Sequence, residues 1–249
     1  MKLTVTSAIA LSTVLAATLA STHAVAAEPD YTLSYNIGAT TDYRFRGISQ
    51  TSFKPALQAG ADFSHKSGVY LGAWGSNVNW VKDFALASEG SLEVDLYGGY
   101  KGELMKGLGF DVGVIAYIYP SNNAATNANT TELYLALSYG PITAKYSRSV
   151  TNFVANADST GSQYLEAAAT FDLGNGFSLT PHIGRQIVPN QLSPADYTDY
   201  SLTLGKDLGN GLAASLALVG TDAKDGFYKV GSVDNLGKGG VFASLKYSF

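Results

Sequence analysis

The sequence predicts an all-β chain, a single closed, up-and-down antiparallel transmembrane β-barrel of about twelve strands with short turns at one end and longer loops at the other. Three observations carry that expectation. Residues 241–249 place Val241, Ala243, Leu245, Tyr247 and Phe249 at every second position against Phe242, Ser244, Lys246 and Ser248, a period of two with one apolar face. A terminal strand of this kind leaves an open sheet edge unless it pairs with the first strand and closes a barrel. Tight turns and longer polar segments also alternate along the chain, which sorts the connections by length onto two ends. Finally, no apolar run of helix length follows residue 27, so an exported chain of this composition crosses lipid only as strands.

Residues 1–27 are expected to be a cleaved signal peptide, leaving residues 28–249 as one barrel domain. Met1 and Lys2 give a positive start, residues 3–20 are apolar but diluted by Ser7, Ser12, Thr13 and Thr18, and Ala24-Val25-Ala26-Ala27 offers small residues for cleavage before Ala27 or Glu28. The interruptions disfavour a membrane-anchoring helix over the same stretch.

The first strand of the mature chain is expected over residues 31–46 and is expected to be the longest. Tyr31, Leu33, Tyr35, Ile37, Ala39, Tyr43 and Phe45 alternate there with Thr32, Ser34, Asn36, Thr40, Asp42, Arg44 and Arg46. Such length suits a tilted strand that crosses a bilayer and runs on beyond it. Residues 55–65 return, and Lys66-Ser67-Gly68 makes a glycine-closed hairpin. Further strands are expected at 69–76, 91–100, 110–119, 131–139, 142–149, 163–173, 177–186, 200–207, 212–221 and 241–249. Gly140-Pro141, Gly174-Asn175-Gly176 and residues 208–211 turn the chain tightly, while residues 101–109 are expected to turn it less tightly. The longer loops fall at 77–90, 120–130, 150–162, 187–199 and 222–240. Pro181 lies within a strand and removes a ladder hydrogen bond, so register is least defined there.

The apolar face is expected to meet lipid. The opposite face carries Asp42, Arg44, Arg46, Asp62, Glu93, Asp95, Asp111, Glu132, Lys145, Glu166, Asp172 and Lys246. An Arg or Lys of this set on the lipid face at mid-membrane would cost up to about 2–4 kcal/mol. Tyr43, Phe45, Phe63, Phe110, Tyr139, Phe171, Phe177 and Phe249 are expected to form interfacial girdles at strand ends. In a soluble lipocalin-like binding barrel the two faces would be exchanged. Leu92, Val94 and Leu96 against Glu93 and Asp95 separate the two readings.

Composition excludes several function classes. With no Cys there is no disulfide framework, thiolate site or Cys nucleophile. A formal net charge of -4 with no basic stripe argues against nucleic acid as a partner. His65 beside a turn and His182 facing inward are the two histidines of the mature chain, and neither accompanies a nucleophile motif, so no catalytic residue, cofactor or metal site is expected. The acids Asp196, Asp199, Asp222 and Asp225 are expected in loops, where sparse carboxylates are ordinarily solvated.

The stretches Asp42-Tyr-Arg-Phe-Arg-Gly-Ile-Ser-Gln50, Pro55-Ala-Leu-Gln58, Ser67-Gly-Val-Tyr70 with Trp74-Gly-Ser-Asn77, and Glu93-Val-Asp-Leu-Tyr-Gly-Gly-Tyr100 resemble the TorF family of proteobacterial porins. The ending on Tyr247 and Phe249 likewise resembles the assembly signal of bacterial outer-membrane barrels. The resemblance implies a non-enzymatic outer-membrane channel whose partners are outer-membrane lipid and lipopolysaccharide, the barrel assembly machinery and small hydrophilic solutes.

On this reading Asp42, Arg44, Arg46, Glu93, Asp95, Tyr97, Glu132, Tyr134, Lys145 and Glu166 form the lumen wall or its constriction, and Tyr70, Trp74, Tyr117 and Tyr164 narrow it further. Eight of the twelve inward charges are acidic, which favours cations or neutral solutes. Arg44 and Arg46 form either a positive strip in the constriction or wall-stabilising pairs with Asp42 or Glu93. A plugged barrel serving as a structural or adhesion anchor is the other reading of the same fold.

Overall fold

In a computed structural model of the chain, the described residues are 29–86, 92–120, 122–123, 125–192, 194–229, 231 and 233–249. The expected signal peptide and its cleavage site therefore lie outside them. In chain order the strands are β1 (Tyr31–Thr40), β2 (Arg44–Phe45), β3 (Ile48–Ser49), β4 (Ala56–His65), β5 (Val69–Asn77), β6 (Leu92–Met105), β7 (Leu108–Ile118), β8 (Thr130–Tyr139), β9 (Ile142–Ser149), β10 (Gln163–Ala169), β11 (Phe171–Gly174), β12 (Phe177–Ile187), β13 (Tyr197–Gly209), β14 (Leu212–Thr221) and β15 (Gly240–Ser248).

All but β2 and β3 belong to one sheet of 13 strands, each antiparallel to its neighbours. β10 and β11 are two parts of one stave along β12, so the barrel has twelve staves. Closure comes from β15 lying against β1, with Ile37 opposite Tyr247 and Thr40 opposite Ser244. Tyr35 and Phe249 exchange backbone hydrogen bonds of 2.8 and 3.0 Å beyond that ladder, and their rings stack at 5.9 Å. The terminal strand thus has no free edge, as the argument from edge aggregation requires.

The stave made by β10 and β11 breaks at Thr170. Ala168 pairs with His182 and Phe171 with Leu179, so the gap faces Thr180 and Pro181. Proline has no N–H to donate there. Register is nevertheless kept across the gap, and inside the barrel the Thr170 and Thr180 hydroxyls lie 3.1 Å apart.

Side chains alternate between the outer face and the lumen along the staves. Leu92 and Leu96 are 49% and 48% exposed on the outer face, whereas Glu93 and Asp95 between them are 1% and 7% exposed. The outer belt continues through Leu33, Leu71, Val114, Leu135, Leu165, Leu202 and Leu218. This orientation excludes the lipocalin-like arrangement, which needs the leucine face inside. Tyr139, Phe171, Phe177 and Phe249 are exposed on the outer face at the turn end of the barrel, with Tyr100 and Phe110 packed together nearby.

Three features of the sequence reading need correction. The first stave ends at Thr40 rather than Arg46, and β6, at 14 residues, is the longest. The connection after β6 is as tight as its neighbours: β6 and β7 run on to Lys106-Gly107, with a bulge between Glu103 and Met105 that absorbs the extra residue. β13 begins at Tyr197, which moves Asp199 from a loop onto the inner wall.

Candidate functional site

The segment from Thr41 to Pro55 leaves the wall at Thr40 and folds into the loop end of the lumen. β2 and β3 form a small hairpin, Arg44 opposite Ser49 and Phe45 opposite Ile48. Its turn, Arg46-Gly47, has φ of 49° and 79°. Two successive positive φ angles match the twist of a tight hairpin, and glycine in the second place makes that conformation accessible.

The hairpin is held by the residues of the Asp42–Gln50 stretch. Asp42 accepts from Arg44 Nε at 2.5 Å, from Ser49 Oγ at 2.6 Å and from Thr51 Oγ1 at 3.3 Å. Arg44 Nη1 then donates to the carbonyls of Gly47, Leu236 and Lys238 at 2.9–3.1 Å, which ties the hairpin to the loop after β14. Arg46 reaches Glu132 on β8 with two hydrogen bonds of 3.0 and 2.6 Å and Gln186 on β12 at 2.8 Å. Its guanidinium lies 4.3 Å from the centroid of the Tyr164 ring and 4.7 Å from that of Phe45. Burial alone would lower the proton affinity of Arg46, but Glu132 more than offsets it and raises its pKa, so this cation is permanent.

Asp42, Arg44 and Arg46 therefore sit on a loop inside the lumen and not on the barrel wall. Each arginine is ion-paired, Arg44 with Asp42 and Arg46 with Glu132. Tyr43 and Phe45, expected in the lipid-facing girdle, are inside as well. Tyr43 donates to Glu93 Oε1 at 2.7 Å, and Phe45 meets Tyr117 edge-on at 5.2 Å. They form part of an apolar cluster within the loop end of the barrel, together with Trp74, Ile115, Tyr117, Trp80 from the short helix α1 (Trp80–Asp83), and Leu236.

The other predicted lumen residues stand on the inner wall. Glu93 and Asp95 on β6 are buried, as are Glu132 and Tyr134 on β8 and Lys145 on β9. Lys145 lies over the Tyr134 ring at 4.4 Å and faces Glu166 across the β9–β10 ladder. Tyr97 donates to Asp62 at 2.5 Å, and Tyr70 to Asp111 at 2.6 Å. The tyrosines lie against the wall because inward glycines give them room: a Cβ at Gly72 would collide with the Tyr97 ring, one at Gly113 with Tyr134, and one at Gly184 with Tyr164.

His182 bridges two acids, with Nε2 3.1 Å from Glu166 and Nδ1 3.5 Å from Asp199, which also accepts from Tyr164 at 2.9 Å. The Tyr164 hydroxyl also lies 3.5 Å from His182 Nε2. His65 contacts Ser67 at the hairpin turn, at 2.8 Å. Among the described residues no three metal-ligating side chains converge.

Between the hairpin and the β13–β15 wall lies a cavity of about 300 Å³. Small polar side chains, Ser201, Thr203, Ser215 and Ser244, form one side. The acids Asp42, Asp95, Glu166 and Asp199 and the bases Arg44, Arg46, Lys145 and Lys246 line it together with His182.

Comparison with known proteins places the architecture. The KdgM porin has a TM-score of 0.57 to this chain at 8% identity, over 87% of this chain and 99% of that one. The NanC porin has a TM-score of 0.55 at 10% identity, over 88% and 99%. The COG4313 outer membrane channel from Pseudomonas putida F1 has a TM-score of 0.51 at 12% identity, over 89% and 96%. At these identities the likeness is one of fold. No curated protein sequence matches the chain. Residues 24–249 match the family model Gcw_chp, described as a bacterial protein of unknown function, and the chain belongs to that family.

Proposed function

We propose that this barrel is an outer-membrane channel of the porin type for the passive diffusion of small hydrophilic solutes or ions. The observation that carries the reading is the pairing of a lipid-facing leucine and valine belt with a charged, hydroxyl-lined cavity on the inside of the same wall. A barrel built only as an anchor has no use for buried carboxylates, which are costly to desolvate. The similarity of fold to the KdgM and NanC porins supports the same reading, as does the resemblance of the Asp42–Gln50 stretch to the TorF porins. Export by the N-terminal signal, insertion by the barrel assembly machinery through Tyr247 and Phe249, and contact with lipopolysaccharide belong to the proposal.

The hairpin gives this channel its constriction. Arg44 and Arg46 are compensated by Asp42 and Glu132, while Glu93 and Asp95 each keep an oxygen with no hydrogen-bond partner among the described residues, an arrangement that favours cations and neutral solutes over anions. Liposome swelling across sugars, amino acids and small cations, with planar-bilayer reversal potentials, tests the reading. Permeation with mild cation preference is expected. A verified, folded barrel that passes nothing would move the assignment to a plugged anchor, a reading favoured by the apolar cluster packed across the loop end.

A further inference from the structure

Asp95 is a buried carboxylate on the inner wall that is not fully hydrogen-bonded among the described residues. Its Oδ1, like Oε2 of Glu93, is buried and has no hydrogen-bond partner among the described residues. Of the cations that line the same cavity, Arg44 is paired with Asp42 and Arg46 with Glu132, while Lys145 lies over the Tyr134 ring and stands opposite Glu166. Two carboxylates two residues apart on one strand project from the same face of the wall, and of the two it is Asp95 that lines the cavity.

The neighbours of Asp95 are aromatic. It stands directly opposite Trp74 on β5 and directly opposite Tyr117 on β7, positions whose Cβ atoms are about 4.5–5.5 Å away in an antiparallel ladder. Tyr43, on the hairpin, closes over them with its ring edge-on to Trp74 at 5.3 Å. All four residues line the cavity of about 300 Å³. A carboxylate set among aromatic rings is the chemistry that recognises an ammonium group, through charge and through the negative faces of the rings.

We propose that Asp95, with Trp74, Tyr117 and Tyr43, forms a binding subsite for small organic cations, solutes carrying a protonated amino or quaternary ammonium group. The inference deepens the channel reading and rests on it for the route by which the solute arrives. Glu93, already engaged by Tyr43, supplies long-range charge, and the carboxylate of Asp95 is the direct partner.

The test is a titration of the folded barrel in detergent with choline chloride, followed through the fluorescence of Trp74. The second tryptophan, Trp80, is made silent by Trp80→Phe in all samples. Saturable quenching by choline is expected, at least tenfold weaker for the neutral isostere 3,3-dimethylbutan-1-ol and absent with sodium chloride at equal ionic strength. Asp95→Asn is expected to weaken choline binding about tenfold or more, and Asp95→Glu to retain it. Heat-modifiable gel migration verifies folding, and Tyr117→Leu provides a second lesion if Asp95→Asn does not fold.

Equal titrations for the parent and Asp95→Asn, equal response to choline and its isostere, or no saturable response at all would overturn the subsite. Bilayer conductance separates the two readings. A barrel that binds choline without conducting keeps the subsite and loses the channel, and one that conducts without binding choline loses the subsite alone.

Discussion

Replacing Arg46 with methionine should unlock the hairpin from the lumen. Both partners of the Arg46–Glu132 pair are buried, with side-chain exposures of 6% and 1%. Among the described residues, removing the arginine leaves Glu132 with a single long hydrogen bond, from the Tyr117 hydroxyl at 3.4 Å, and leaves Gln186 Oε1 without its donor at 2.8 Å. Breaking a buried pair on one side costs about 3–5 kcal/mol, because the surviving charge has no compensation. A loss of about 3 kcal/mol moves the docking equilibrium of the hairpin about a hundredfold toward the open form.

Two measurements follow. Single-channel conductance of Arg46→Met should rise or become noisy as the hairpin leaves, and the folded band on cold gels should be lost at lower temperature. Replacing both partners, Arg46→Met with Glu132→Leu, removes the stranded charge and should recover much of the stability, giving a strong coupling between the two sites. Additive effects within about 0.5 kcal/mol, together with parental conductance in Arg46→Met, would refute the idea that this pair holds the constriction.

Other perturbations address single features of the architecture. Gly47→Ala places a Cβ 2.6 Å from Thr221 Cγ2 and 2.7 Å from Asp199 Cβ at a φ of 79°; strain of about 1–3 kcal/mol should lower the heat resistance of the folded barrel, and an unchanged gel transition would contradict the turn geometry. Leu135→Arg puts a charge into the outer belt and should cost up to about 2–4 kcal/mol in folding into lipid vesicles, while a neutral result would deny that this face meets lipid. Pro181→Val returns a donor to the ladder beside the break at Thr170 and should add about 0.5–1.5 kcal/mol, measured by urea titration in vesicles. Deletion of Phe249 removes both backbone bonds to Tyr35 and the stacked ring at 5.9 Å, and it should slow insertion in a vesicle-folding time course.

Most of the barrel is legible in the sequence because a two-residue period fixes which side chains share a face, and a one-residue slip would send Leu92 inside and Glu93 into lipid. The turns at Asn175-Gly176 and Asn210-Gly211 are legible for a similar reason, since their positive φ angles need the residue types found there. The inward hairpin is hidden in the sequence because residues 42–46 keep the same alternation as the stave before them. The period is a property of any strand, and Tyr43 and Phe45 look alike on a lipid face or in an apolar cluster. The available signal was Arg46-Gly47 between Phe45 and Ile48, a two-residue turn that continuous alternation outweighed.

The site follows the same division. Which charges face inward is set by the period, so Glu93, Asp95, Glu132, Lys145 and Glu166 could be named from sequence. Which of them are compensated is set by a loop whose path the period does not describe, and so the contrast between Glu132 and Asp95 emerges only in three dimensions. Asp199 reads as a loop residue because the turn-like residues before it obscure where β13 begins.

The route by which Arg44 and Arg46 are satisfied has a consequence for how the barrel assembles. Glu132 lies 86 residues from Arg46 and the Lys238 carbonyl lies 194 residues from Arg44, so although Arg44 finds Asp42 next to it in the chain, the contacts that tie the hairpin to the rest of the barrel come from residues made much later. A half-built barrel carries the hairpin without its anchors, and closing such long loops of chain is entropically costly before the staves are in place. The mouth is therefore finished last, when the segment ahead of β15 arrives, and until then the growing sheet presents a wide, unfurnished opening.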